Sequence, residues 1–133
     1  MSDISEKRIL IVDDQPDNLK ILQRQLKMYK SDLASNGEQA LKLAVQIKPD
    51  LILLDVMMPE MDGFTVAKKL KGNPTTASIP IIFVTAKTDV SSFIEGFELG
   101  ADEYIMKPYD PNVVRQVVKN KLEPAMENDD EDF

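Results

Sequence analysis

Four short apolar runs in this chain end in residues that can do chemistry. Ile9-Leu10-Ile11-Val12 runs into Asp13-Asp14, and Leu51-Ile52-Leu53-Leu54 into Asp55. Ile79-Pro80-Ile81-Ile82-Phe83-Val84 ends at Thr85, and Tyr104-Ile105-Met106 ends at Lys107-Pro108. Three carboxylates gathered at one place repel each other, so they need a cation or raised pKa values. An all-oxygen set suits a hard divalent ion such as Mg²⁺, which keeps several of its own waters. Lys107 would add a point charge able to hold an anion beside that ion, and Thr85 a short hydroxyl donor. Such a set describes a phosphoryl-transfer site in which a carboxylate can act as the nucleophile. Singly, each residue has a plainer reading: Asp13 or Asp14 as a helix cap, Asp55 as a loop residue, Thr85 as a strand-end hydroxyl, Lys107 as a solvated charge, Tyr104 as packing. Their recurrence at the ends of different apolar runs favours function. The chain has no cysteine and no histidine, which removes thiolate chemistry, ordinary zinc sites and every His- or Cys-based triad.

Between these runs lie segments of helical spacing. Leu19, Leu22 and Leu26 follow Pro16, with Ile21 in the same segment, and Ser31–Ala34 reads as a weak strand. Asn36 is placed to cap a helix carrying Ala40, Leu41, Ala44 and Val45 on one face, ended by Pro49. A third helix is expected from Gly63 to Lys71, stopped by Gly72-Asn73-Pro74. The fourth holds Phe93, Ile94 and Phe97 and stops at Gly100; the fifth opens with Pro111 and packs through Val113, Val114, Val117 and Val118. Five strand–helix units predict an α/β fold, a parallel sheet with helices on both faces. Sheets of this kind place ligands beyond the carboxyl ends of their strands, where all four runs end.

The 133 residues are about one domain in length. Net charge is −7, but Glu123–Phe133 holds six acidic residues and no base, so the body is nearly neutral. Two parts are expected: a folded domain over 1–122 and an acidic, disordered tail over 123–133. No basic stripe points to nucleic acid, and no apolar run approaches membrane-spanning length. A charged start without a following apolar segment does not read as a signal peptide, so a cytoplasmic location is expected.

Asp55-Val56-Met57-Met58-Pro59-Glu60-Met61-Asp62-Gly63 resembles the phosphoacceptor motif of response-regulator receiver domains. Ile9–Asp14, Val84-Thr85-Ala86, Gly100–Tyr104 and Lys107-Pro108 are similar to the other blocks of that family, and the likeness covers about residues 7–122. The resemblance implies a doubly wound (βα)5, flavodoxin-like three-layer sandwich with sheet order 2-1-3-4-5. It implies that Asp55 accepts a phosphoryl group from a histidine kinase or a histidine phosphotransfer protein. Mg²⁺ would be bound by Asp14, Asp55 and the Met57 carbonyl, with Asp13 assisting through water. Thr85 and Lys107 would hold the phosphoryl oxygens, and a cis Lys107–Pro108 bond is usual in the family. Thr85 and Tyr104 would form the switch, Tyr104 rotating from exposed to buried as Thr85 is drawn inward. A downstream effector would read the face of helix four, strand five and helix five, and the chain would be a monomer or a phosphorylation-dependent dimer. The protein would be no turnover enzyme, losing its phosphoryl group slowly. Met57 and Lys87, two positions after Asp55 and Thr85, would modulate that loss.

Two other classes use parts of this pattern. A phosphatase of the haloacid-dehalogenase type shares an Asp nucleophile and Mg²⁺, but needs a second Asp where this chain has Met57. An FMN carrier of the flavodoxin type needs a Ser/Thr/Gly-rich phosphate loop where this chain has Asp13-Asp14-Gln15-Pro16, which would repel phosphate.

Overall fold

The computed structural model describes residues 6–123. The elements run β1 (Arg8–Val12), α1 (Pro16–Gln25), β2 (Lys30–Ala34), α2 (Gly37–Ile47), β3 (Leu51–Leu54), α3 (Gly63–Lys71), β4 (Ile81–Thr85), α4 (Val90–Glu98), β5 (Glu103–Met106) and α5 (Pro111–Leu122). All strand pairs are parallel, in the order β2-β1-β3-β4-β5. This is the expected doubly wound sheet.

The sheet divides the core in two, and the period of two along each strand decides which side chain goes where. Leu10, Val12, Ile52, Leu54, Ile81 and Phe83 pack on one face, against Ala40 and Ala44 of α2 and Phe64, Val66, Ala67 and Leu70 of α3. Ile9, Ile11, Leu51, Leu53, Ile82 and Val84 pack on the other, against Leu19 and Leu22 of α1 and Val114, Val118 and Leu122 of α5. Burial of both faces explains why the central strands are unbroken aliphatic runs. The edge strands β2 and β5 are more exposed and correspondingly more polar.

Helix ends follow local chemistry. The Asn36 side chain accepts from the Gln39 N–H, Asp62 from Thr65, Asp89 from Ser92 and Asp110 from Asn112. Gly100 has φ of 98°, a left-handed conformation that only glycine adopts without strain, one residue beyond the Leu99 cap.

Several expectations are corrected. Val45 and Val113 lie on exposed helix faces, because only the Ala40/Ala44 and Val114/Val118 stripes meet the sheet. Ile21 is also exposed, although its segment is helical. β4 begins at Ile81 rather than Ile79: Pro80 has no N–H to give, and contributes only its carbonyl, which accepts the Ile52 N–H. The acidic tail lies outside the described residues except for Glu123. That residue is tied to the body, since its carboxylate accepts the Tyr29 hydroxyl at 2.9 Å.

Candidate functional site

β1 and β3 are adjacent, and the registry pairs Val12 with Leu54. Asp13 and Asp55 therefore leave the sheet side by side, and the Asp55 N–H donates to the Val12 carbonyl. Carboxylate oxygens of Asp13, Asp14 and Asp55 all lie within 4.8 Å of one another. β4 and β5 deliver Thr85 and Lys107 to the same edge, where the Lys107 N–H donates to the Thr85 carbonyl. The peptide bond between Lys107 and Pro108 is cis.

The Lys107 ammonium lies 2.8 Å from Asp13 Oδ2 and 3.4 Å from Asp55 Oδ2. Asp13 is 1% exposed, and its other oxygen accepts the Gln15 N–H at 2.9 Å. Asp13 thus turns the chain into α1 and holds Lys107 at once; the helix cap proper is Gln15, whose side chain makes no capping bond. Asp14 forms no hydrogen bond or ion pair among the described residues and keeps its carboxylate available.

Asp55 is 6% exposed, and burial raises its pKa above the ordinary carboxylate value. The Thr85 hydroxyl, the Met57 N–H and the Lys107 charge pull it back, while the Asp13 charge pushes it further up. The Met57 N–H reaches Asp55 Oδ1 at 3.0 Å. Burial alone would lower the Lys107 pKa, but the Asp13 bond and the two carboxylate charges outweigh it, and the net direction is upward.

A buried, partly neutralised carboxylate cluster with one unpaired member fits a small hard cation. The chain has neither histidine nor cysteine, so the carboxylate set matches Mg²⁺ better than a transition metal.

Residues 9–119 match the family described as the response regulator receiver domain. The chain belongs to that family. This receiver is 47% identical over 121 residues to the response regulator PleD of Caulobacter vibrioides, covering 86% of this chain and 27% of that protein. It is 44% identical over 105 residues to the DNA-binding dual master transcriptional regulator RpaA of Synechocystis, covering 77% of this chain and 44% of that protein. The receiver thus spans between about a quarter and a half of the length of these curated relatives. Among solved structures, a response regulator from Chloroflexus aurantiacus superposes with a TM-score of 0.83 at 37% identity, covering 88% of this chain and 98% of that one. The chemotaxis protein CheY4 of Vibrio cholerae gives 0.82 at 28% identity, covering 88% and 99%.

Around the acidic cluster, the receiver places the remaining residues singled out in the sequence. Met57 is 54% exposed beside the site, as befits a side chain at its mouth. Lys87 lines the same cavity as Met57, but its ammonium pairs with Asp89 at 3.3 Å instead of turning toward Asp55. Thr85 is fully buried, and its hydroxyl accepts the Lys87 N–H at 3.2 Å. Tyr104 lies inward rather than exposed, its hydroxyl donating to the Lys87 carbonyl at 2.7 Å.

Three residues that sequence reasoning left without a role shape this arrangement. At Gly63, a Cβ would collide with the Asp55 carbonyl and lie 2.8 Å from Val56 Cα, so glycine lets α3 start directly against the turn that follows Asp55. At Gly96, a Cβ would sit 3.0 Å from Tyr104 Cδ2, so glycine makes room for the inward ring. A glycine inside an amphipathic helix is itself a signal that something packs closely there. Asp89 caps α4 and also takes Lys87, a link that only spatial proximity reveals.

Proposed function

We propose that this receiver accepts a phosphoryl group on Asp55 from a phosphohistidine of a histidine kinase or a histidine phosphotransfer protein. The observation that carries the reading is the strand-end convergence of three carboxylates with Lys107. An Asp55 oxygen attacks phosphorus; the O–P bond forms as the N–P bond breaks, and the imidazole nitrogen keeps the electron pair. Asp13, Asp14, Asp55 and the Met57 carbonyl would hold Mg²⁺, whose charge offsets the crowding of carboxylate and phosphoryl oxygens. Thr85 donates its hydroxyl to one phosphoryl oxygen and Lys107 pairs with another.

The same geometry supports a switch. A dianionic group at Asp55 is a stronger acceptor for Thr85 than the carboxylate it replaces. Thr85 holds Lys87 by its N–H, and Lys87 holds Tyr104 by its carbonyl. Phosphorylation therefore changes the balance between inward and outward Tyr104, with the inward ring already accommodated by Gly96. Tyr104 in turn touches Phe93, ring centroids 5.5 Å apart, and Phe93 touches Phe97 at 5.0 Å. Exposed Val90, Ile94, Met106 and Val113 extend this apolar face across α4, β5 and α5. A patch of that kind suits a downstream effector protein or a second phosphorylated copy, and the unphosphorylated chain is a monomer.

In this reading residues 1–122 are the phosphoacceptor domain and 123–133 an acidic extension, acting in the cytoplasm without nucleic acid. No helix among the described residues is long and apolar enough to cross a membrane. The chain is phosphorylated and slowly dephosphorylated rather than turning over a substrate. Incubation with acetyl phosphate and Mg²⁺ should add one phosphoryl group by intact mass, and a screen of histidine kinases should find a donor. Labelling of Asp55→Asn at the parent level would refute the assignment.

A further inference from the structure

Lys87 is paired with Asp89 and shares a cavity with the residues that follow Asp55. Its backbone is fixed: the N–H donates to Thr85 Oγ1 at 3.2 Å and the carbonyl accepts the Tyr104 hydroxyl at 2.7 Å. Only the side chain is free to choose. It lines a cavity of about 620 Å³ shared with Val56 and Met57, the two residues that follow Asp55, and with Asp62, Ser92 and Glu95. At present its ammonium rests 3.3 Å from Asp89 Oδ1, in a pair whose two side chains are 43% and 49% exposed.

Asp89 does not depend on that pair for its own position. Its carboxylate accepts the Ser92 N–H at 3.1 Å, the Ser92 hydroxyl at 2.9 Å and the Ser91 hydroxyl at 2.8 Å. These bonds, the Ser91 hydroxyl first, hold its pKa well below the usual carboxylate range, so it stays charged. The cap of α4 is thus complete without Lys87, and an ion pair this exposed is weak. A lysine held weakly by a monoanion, on a backbone anchored beside a site that acquires a dianion, is arranged for exchange.

We infer that Asp89 is a positioning residue that sets the lifetime of the phosphorylated state by competing with the phosphoryl group for Lys87. The inference rests on Asp55 being the phosphoacceptor. When Lys87 moves to a phosphoryl oxygen it stands in the mouth of the site, where water must enter for in-line attack on phosphorus. An ammonium has donors only, so it cannot take that water's proton and ties up the lone pair needed for attack. Each Lys87 held by Asp89 leaves the path open; each one released closes it.

Asp89→Asn and Asp89→Ser both remove the charge while keeping a side chain that caps helices well. Half-life of the phosphorylated 133-residue chain is followed by intact mass after acetyl phosphate is removed. Both variants should lengthen it about two- to fivefold, the ratio that corresponds to losing one exposed ion pair. In a Lys87→Gln background, Asp89→Asn should leave the half-life unchanged, a dependence that a purely structural cap would not show. Unaltered half-lives in both single variants would overturn the inference. So would an equal lengthening without Lys87, which would place the effect in α4 itself. Failure of the parent to take up any phosphoryl group would overturn the Asp55 reading and this inference together, whereas normal uptake with an insensitive half-life overturns this inference alone.

Discussion

Replacing Lys107 by alanine removes the cation that bonds both Asp13 and Asp55. Asp13 is 1% exposed and Asp55 6%, so neither carboxylate can recover much solvation where it stands. Removing one partner of a fully buried ion pair costs about 3–5 kcal/mol, because the other charge is left uncompensated. The Lys107 side chain is itself 20% exposed, so water partly screens the site and the expected loss falls to about 2–3 kcal/mol. For a domain of this size that corresponds to a melting temperature lower by roughly 6–12 °C. Mg²⁺ supplies the discriminating arm. A ligand at a hundredfold excess over its dissociation constant stabilises by about 2.7 kcal/mol, and a tighter site gains more at the same concentration. With no ammonium to oppose the metal, Lys107→Ala should bind Mg²⁺ more tightly than the parent and be rescued further by it. Urea denaturation of both proteins, without Mg²⁺ and with Mg²⁺ at a concentration that saturates the parent, reads both effects. Equal stability of the two proteins, or equal gains from Mg²⁺, would refute the placement of Lys107 as counter-ion to the acidic cluster.

Asp55→Asn should be more stable than the parent at neutral pH. A carboxylate whose folded pKa is raised is penalised in the folded state once the unfolded chain ionises. The parent's deficit should therefore open as pH rises through the ordinary carboxylate range and level off above the raised value; a pH-independent difference in urea midpoints would contradict this. Gly96→Ala gains about 1 kcal/mol of helix propensity, but places a methyl 3.0 Å from Tyr104 Cδ2 and 3.3 Å from Phe83 Cδ2, and such overpacking costs about 1–3 kcal/mol. The ring should relieve it by swinging outward, seen as increased tyrosine accessibility to a fluorescence quencher, and unchanged accessibility would show that the helix gives way instead. Met57→Asn puts an amide able to hold water at a position now occupied by an exposed apolar side chain, and should shorten the phosphoryl half-life severalfold; an unaltered rate would remove Met57 from the set of modulating residues.

What could be read from the chain and what could not differ in kind. Aliphatic runs such as Leu51–Leu54 are legible because burial on both faces leaves little choice of residue. Since parallel strands end at one edge of a sheet, legible strands make the meeting of Asp13, Asp55, Thr85 and Lys107 deducible from the sequence. Helix faces are less determined: Val113 and Val114 are chemically identical, and only the direction of the sheet decides that one is exposed and the other buried. Tyr104 was legible as a packing or switch residue, but the link that holds it through Lys87 was not. That link runs through a backbone N–H and a backbone carbonyl, which every residue other than proline possesses, so no residue type announces it. One neighbour of that link does leave a mark: Gly96, where a side chain would press on the Tyr104 ring. A site built from side chains is therefore written in the order of the residues. The hydrogen bonds from Thr85 through the Lys87 backbone to Tyr104 are written in no residue type, and become legible only once the β4–α4 turn is folded.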